Sequence, residues 1–327
     1  MAVMSYIQAV TTALREEMLR DEKVFILGED VGKKGGVFRA TEGLFDEFGE
    51  YRVLDTPLTE SAIAGVGIGA AMYGMRPVAE MQFADFIMPA VNQIISEAAK
   101  TRYRSNNDWN VPITIRAPYG GGVHGALYHS QSVESVFANQ PGLKIVMPST
   151  PYDVKGLLKA AIRDNDPVLF FEHKRAYRLL KEDVPEEDYV LPIGKADVKR
   201  EGSDITVITY GLCVHFALQA AEKLAEEGID AHILDLRTVY PLDKAAIIEA
   251  ASKTGKVLLI TEDNKEGSII GEVAAIIAEN CLFDLDAPIM RLAGPDVPAM
   301  PYAPTMERYF MVNPEKCEKA MRDLAEF

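Results

Sequence analysis

The chain has 327 residues, 48% hydrophobic and 25% charged, which is enough to bury sizeable cores and more than one ordinary domain requires. Its 34 basic and 49 acidic side chains leave a net charge of −15, which argues against a broadly basic nucleic-acid or anionic-membrane surface. Three widely spaced cysteines (Cys213, Cys281, Cys317) form no CxxC pair, and there is no apolar run of about 18 residues, so a disulfide framework, a zinc knuckle and a membrane-spanning helix are not expected. The acidic N-terminal stretch lacks an apolar core before a cleavage site, and a reducing cytoplasm is the expected compartment.

Residues 5 to 21 place Ile7, Val10, Leu14 and Met18 on one helical face, and the short apolar run VFILGED follows as a buried strand. The alternation continues with YRVLDTP, a small-residue helix over about 60–74, RPVAEMQ, a long helix over about 86–104, VPITIRAP, LKIVMPS and PVLFFEH. Continuous apolar strands separated by helices predict an α/β domain with a mostly parallel sheet covered on both faces. Between residues 181 and 204 the sequence turns charged and loses apolar periodicity, as an exposed connection would, so we divide the chain into domains 1–190 and 191–327. After it, DITVITYG, VHFALQAAEKLAEEG, AHILDL, AAIIEAASKTG, KVLLITED, a helix over about 268–280 and PIMRLAG predict a second, smaller α/β domain.

Gly65, Gly67, Gly69 and Ala70 satisfy a loose GxGxxA pattern, but they begin about ten residues after the preceding strand and so fall inside the helix rather than at a strand-to-helix turn where amides would face a pyrophosphate. A close helix–helix or subunit contact accounts better for glycines that each cost about 1 kcal/mol in a helix. Glu60 sits where strand and turn pass into that helix. It is placed either to complement the helix macrodipole or to face a ligand at the loop end of the sheet. The triple glycine at 120–122 precedes His124 and His129, and this segment is either a structural loop or one that brings an imidazole to a substrate. Its lack of intervening carboxylates and cysteines disfavours a transition metal. His173, His215 and His232 lie in apolar patterns and read as structural, and the carbonyls ending the helix before Asp166-Pro167 need partners, with water the default.

At these segments the sequence resembles a known family. LGEDVG, DTPLTESAIAGVGIGAAMYGMRPVAEMQFADF, HGALYHSQS, PGLKIVMPSTPYDVKGLLKAAIRDNDPV and LDLRTVYPLD are similar to the β subunits of the thiamine-diphosphate-dependent 2-oxo acid dehydrogenases, and the likeness covers essentially the whole chain. HGALYHSQS and QFADF are more like the branched-chain enzymes than the pyruvate enzymes. The resemblance implies a transketolase-like pyrimidine-binding domain, then a smaller transketolase C-terminal-like domain for dimerisation and acyltransferase docking. No GDG motif is present, so thiamine diphosphate is expected to be shared with an α subunit that holds Mg²⁺ and the diphosphate in an α2β2 heterotetramer.

The same resemblance assigns Glu60 to the aminopyrimidine nitrogen, whose imino tautomer it favours, and places Leu58, Gln82 and Phe86 around the ring. It makes His129 the residue assisting acyl transfer to a lipoyl-lysine arm, and gives His124 no role. Ile113, Ala161, Ile162, Asp164 and Asp166 correspond to a structural potassium site, although Asp166 stands where some relatives have Asn. The implied reaction is oxidative decarboxylation of branched-chain 2-oxo acids, with a lipoyl domain as acceptor and docking on the acyltransferase's peripheral subunit-binding domain. A pyruvate or acetoin enzyme and a non-catalytic scaffold are the alternatives.

Overall fold

The first helix is fixed by its cap: the Ser5 hydroxyl accepts from the Gln8 N–H while the Gln8 side chain accepts from the Ser5 N–H. This helix, α1 (Tyr6–Arg20), buries Val10, Leu14 and Met18 of the expected stripe and Tyr6 beside them, while Ile7 is only partly buried. The computed structural model describes residues 2–327. Two compact units emerge: residues up to Tyr119 with Val136–Ile193, and Gly120–Ser135 with Gly194–Phe327. The crossing at Ile193–Gly194 lies close to the boundary drawn from composition. The assignment of Gly120–Ser135 to the second unit has no counterpart in that reading.

In chain order, the first part contains β1 (Ala2–Ser5), α1, β2 (Val24–Gly28), α2 (Leu44–Phe48), β3 (Val53–Asp55), α3 (Glu60–Met72), β4 (Arg76–Glu80), α4 (Ala99–Arg104), β5 (Thr114–Tyr119), α5 (Glu134–Phe137), β6 (Lys144–Val146), α6 (Pro151–Arg163), β7 (Val168–His173), α7 (Ala176–Leu179) and β8 (Lys181–Val184). Six strands of the first unit run parallel in the order β6-β7-β5-β4-β2-β3. The residues of β2, β4, β5 and β7 are buried almost throughout, as strands covered on both faces must be, while the edge strand β3 is buried only at Val53. Gly28 pairs in register with both Asp55 and Glu80, so the loops leaving β2, β3 and β4 emerge side by side.

The second unit continues with β9 (Asp197–Arg200), β10 (Ile205–Thr209), α8 (Cys213–Glu226), β11 (Ala231–Asp235), β12 (Thr238–Tyr240), α9 (Lys244–Thr254), β13 (Val257–Asn264), α10 (Ile269–Cys281), β14 (Met290–Gly294), α11 (Pro304–Phe310) and α12 (Pro314–Ala325). Its sheet runs β14-β13-β10-β11-β9, parallel except for the edge strand β9. Apolar side chains from α8, α12 and these strands form its core, including Phe216, Leu224, Ile233, Ile260 and Met321.

Three elements depart from expectation. The long helix over 86–104 is instead a 3₁₀ segment Ala84–Ala90 containing Pro89, a π-helical stretch Gln93–Ala98, and α4. A proline inside a helix removes one hydrogen bond and clashes with the preceding turn, which breaks the run. The charged connection 181–204 contains two strands: β8, antiparallel to β1, and β9 at a sheet edge, where charged side chains are tolerated. Past residue 294, α11 and α12 were not foreseen, although Pro304 and Pro314 in their first turns and the Asn313 cap are helix-start signals.

Candidate active site

Because β3 and β4 are parallel, their C-terminal ends deliver Thr56–Glu60 and residues 81–86 to the same rim. Glu60 opens α3 directly after Thr59, whose carbonyl accepts from the Ala62 and Ile63 N–H groups. Its carboxylate is half-buried, in a helical first turn that favours negative charge. Leu58 is 65% exposed, Gln82 and Phe86 are partly exposed, and the Phe86 ring meets Phe83 edge-on at 5.8 Å. One carboxylate, one amide, an open aliphatic side chain and an aromatic ring fit a heteroaromatic ring with a protonatable nitrogen.

Glu29, at the end of β2, has no role in the sequence reading. Burial, followed by the charges of Asp30 and Glu60, pushes its carboxyl above the ordinary range against the opposing pull of Lys34. The signal was present in LGEDVG, but only the parallel register places that loop beside α3.

Beneath this rim lies a sealed ion network. Arg116 donates to Glu172 through Nε and Nη2, and to Glu80 through Nη1, while the Tyr177 hydroxyl donates to Glu172 Oε2 at 2.6 Å. All four are buried. Burial pushes the Glu80 carboxyl up against the opposing pull of Arg116, whereas the two carboxylates more than offset burial at Arg116 and hold it charged.

The glycines of α3 meet the sheet rather than a second helix at their closest approach. A Cβ on Gly67 would lie 2.7 Å from Ile113 Cδ1, and Gly65 only grazes Gln93 at 3.9 Å. Gly69 faces open space.

The residues of the expected potassium set do gather, and several of their oxygens accept from protein donors. Arg76 Nη1 donates to the carbonyls of Ile162 (3.0 Å) and Asp164 (2.9 Å). Lys144 Nζ lies 2.6 Å from Asp164 Oδ2 and 3.3 Å from Asp166 Oδ2, and Arg102 donates to Asp166 Oδ1 at 2.6 Å. The Ile113 carbonyl accepts from the Val168 N–H, and that of Ala161 from the Asp164 N–H. Three protein cations, Arg76, Lys144 and Arg102, meet this corner, and the default of water at the end of α6 gives way to Arg76. Among the described residues no group of three or more His, Cys, Asp or Glu is placed to hold a metal.

His129 belongs to the second unit and follows a 3₁₀ turn, Ala126–Tyr128. The segment carrying it is pinned by carboxylates of that unit. The Gly121 N–H donates to Glu262 Oε1 at 2.5 Å, and Ser135 Oγ donates to Asp263 at 2.6 Å. Glu134 accepts from the Tyr210 hydroxyl at 2.9 Å, and burial followed by the charge of Asp263 pushes its carboxyl up to about 8. His173 and His232 are buried, His173 accepting from the Arg175 N–H, in keeping with structural roles. The three cysteines are buried and unbridged, and burial pushes the Cys317 thiol up to about 12, which leaves it unreactive.

Residues 2–179 match the transketolase pyrimidine binding domain and residues 194–317 the transketolase C-terminal domain. Among solved structures, a chain described as "Split gene transketolase, inactive beta4 tetramer" aligns over 99% of this chain and 98% of its own, with a TM-score of 0.81 at 21% identity. The class is therefore the transketolase-like α/β proteins. The 2-oxoisovalerate dehydrogenase subunit beta of Bacillus subtilis (strain 168) is 82% identical over 327 residues, all of both chains, and the pyruvate dehydrogenase E1 component subunit beta of the same organism is 49% identical over the same span. The chain belongs to the family of 2-oxo acid dehydrogenase β subunits.

Proposed function

We propose that this chain is the β subunit of a branched-chain 2-oxo acid dehydrogenase, acting with an α subunit. Substrate carbon dioxide is released, the remaining acyl group is transferred to one sulfur of a lipoyl-lysine disulfide, and the two electrons left on the acyl carbon reduce that disulfide. The observation carrying this reading is the delivery of Leu58, Glu60, Gln82 and Phe86 to one rim by the in-register ends of β3 and β4. The branched-chain assignment rests on 82% identity, against 49% for the pyruvate relative.

Thiamine diphosphate, when bound, supplies the electron sink for decarboxylation. Glu60 holds a proton at the pyrimidine nitrogen, Phe86 packs against the ring face, and Leu58 and Gln82 border it. His129 donates a hydrogen bond or proton to the lipoyl sulfur. Leu58 is 65% exposed in the single chain, and an α subunit covering it would also exclude water from Glu60. Mg²⁺ and the diphosphate fall to α in an α2β2 assembly. A net charge of −15 suits a basic peripheral subunit-binding domain on the acyltransferase, and buried free cysteines suit the cytoplasm. No helix among the described residues is long and apolar enough to cross a membrane.

The test is to copurify the chain with its α partner, assay bound thiamine diphosphate, and compare 2-oxoisovalerate, 4-methyl-2-oxopentanoate, pyruvate and acetoin. Cofactor bound only to the pair, with the branched substrates preferred, supports the reading. Preference for pyruvate or acetoin would reassign the substrate, and an inert pair without cofactor would indicate a scaffold.

A further inference from the structure

We propose that Glu307 is a positioning residue for His129, acting through the turn that begins at Gly122. Glu307 lies on α11, is 3% exposed, and has its carboxylate turned onto the glycine-rich segment of the same unit. Oε1 accepts from the N–H groups of Gly122 (3.1 Å) and His124 (3.2 Å), and Oε2 lies 2.5 Å from His124 Nδ1. One buried carboxylate thus gathers two backbone amides and an imidazole.

The backbone it holds does not favour itself. Gly122 (φ 81°), His124 (φ 57°) and Ala126 (φ 54°) all sit in the left-handed region, which costs side-chain-bearing residues energy and persists only where the surroundings impose it. Alternating turns of this kind point successive N–H groups into a concavity that suits an anion, and Glu307 fills it. The chain then folds back so closely that a Cβ on Gly125 would lie 2.6 Å from the His129 carbonyl oxygen and 2.7 Å from its Cβ. His129 is therefore seated on the residue next to His124, and the Glu307 grip on His124 sets where the His129 backbone begins.

This inference rests on the reading of His129 as the acyl-transfer residue, and the experiment separates the two. In the reconstituted αβ enzyme, Glu307→Ala is expected to lower lipoyl acylation about tenfold or more beyond any loss of decarboxylation followed with an artificial electron acceptor, since displacing a reacting group by about 1 Å can cost up to about 100-fold. Glu307→Gln, which keeps an oxygen for both amides, should recover part of the loss. His124→Ala, which keeps both amide contacts, should show a smaller loss of the same kind and provides the test should Glu307→Ala fail to fold. In a His129→Ala background Glu307→Ala should add no further loss of acylation. A normal acylation-to-decarboxylation ratio in both Glu307→Ala and His124→Ala, or additive losses in the double variant, would overturn the role of Glu307. An unchanged ratio in His129→Ala alone would instead overturn the His129 reading.

Discussion

Arg116 grips Glu172 with two parallel hydrogen bonds of 2.6 and 2.7 Å, and neither side chain reaches solvent. Nη1 of the same guanidinium reaches Glu80, the last residue of β4, at 2.6 Å. The strand that delivers Gln82 and Phe86 is thus tied to β5 and β7 by charge as well as by backbone pairing.

Replacing Arg116 by Met leaves two carboxylates buried with no cation, so we predict a loss of about 3–5 kcal/mol of stability, because an uncompensated buried charge is costly. Urea denaturation of the αβ pair measures it. Glu172→Gln, which keeps hydrogen-bonding capacity at Tyr177, should cost less.

Glu134 gives stability a defined dependence on pH. Its carboxyl is held near pH 8 in the fold by burial and by Asp263, above its ordinary value of 4.5, so the folded chain binds the extra proton. Stability from this group is present below about pH 4.5 and is lost as pH rises toward about 8, the reverse of a salt-bridged carboxylate. Glu134→Gln should flatten the fall in thermal midpoint between pH 5 and about 8.5, a range in which the native chain should weaken by a few kcal/mol at most. Melting curves across that range provide the check.

Arg76 donates to two of the carbonyls assigned to a potassium ion, those of Ile162 and Asp164. The melting temperature should therefore be the same in potassium and sodium salts at equal ionic strength. Arg76→Met should cost about 1–3 kcal/mol, the penalty of leaving those acceptors unpaired, and should make potassium more stabilising than sodium.

Phe86→Ala should weaken thiamine diphosphate binding by the αβ pair about tenfold, as expected for loss of an aromatic face of roughly 1–1.5 kcal/mol. Phe86→Tyr should bind nearly as well, because the ring, not an added hydroxyl, makes the contact. Calorimetric titration with the cofactor distinguishes the two.

Local pattern was enough to read the alternation of buried strands and amphipathic helices, because each strand's burial and each helix's stripe are written within a few residues. Glu60 could be placed at a strand-to-helix passage for the same reason. The Gly120–Ser135 segment could not be assigned to the second unit, since it is held by Glu262, 141 residues beyond Gly121, and by Glu307, 185 residues beyond Gly122. The broken helix after Phe86 was foreshadowed by Pro89, which the apolar periodicity outweighed. Arg76 capping the end of α6 was equally invisible, being 86 residues from Ile162 in sequence.

On the proposed function, the Glu60 carboxylate at the start of α3 holds the proton that makes the coenzyme reactive. Decarboxylation of 2-oxoisovalerate by αβ enzyme carrying Glu60→Gln tests it most directly, with assembly checked by size-exclusion chromatography. We expect an intact heterotetramer with turnover reduced about 100-fold or more, the scale of a lost general acid–base group. An assembled variant that turns over at close to the native rate would contradict it.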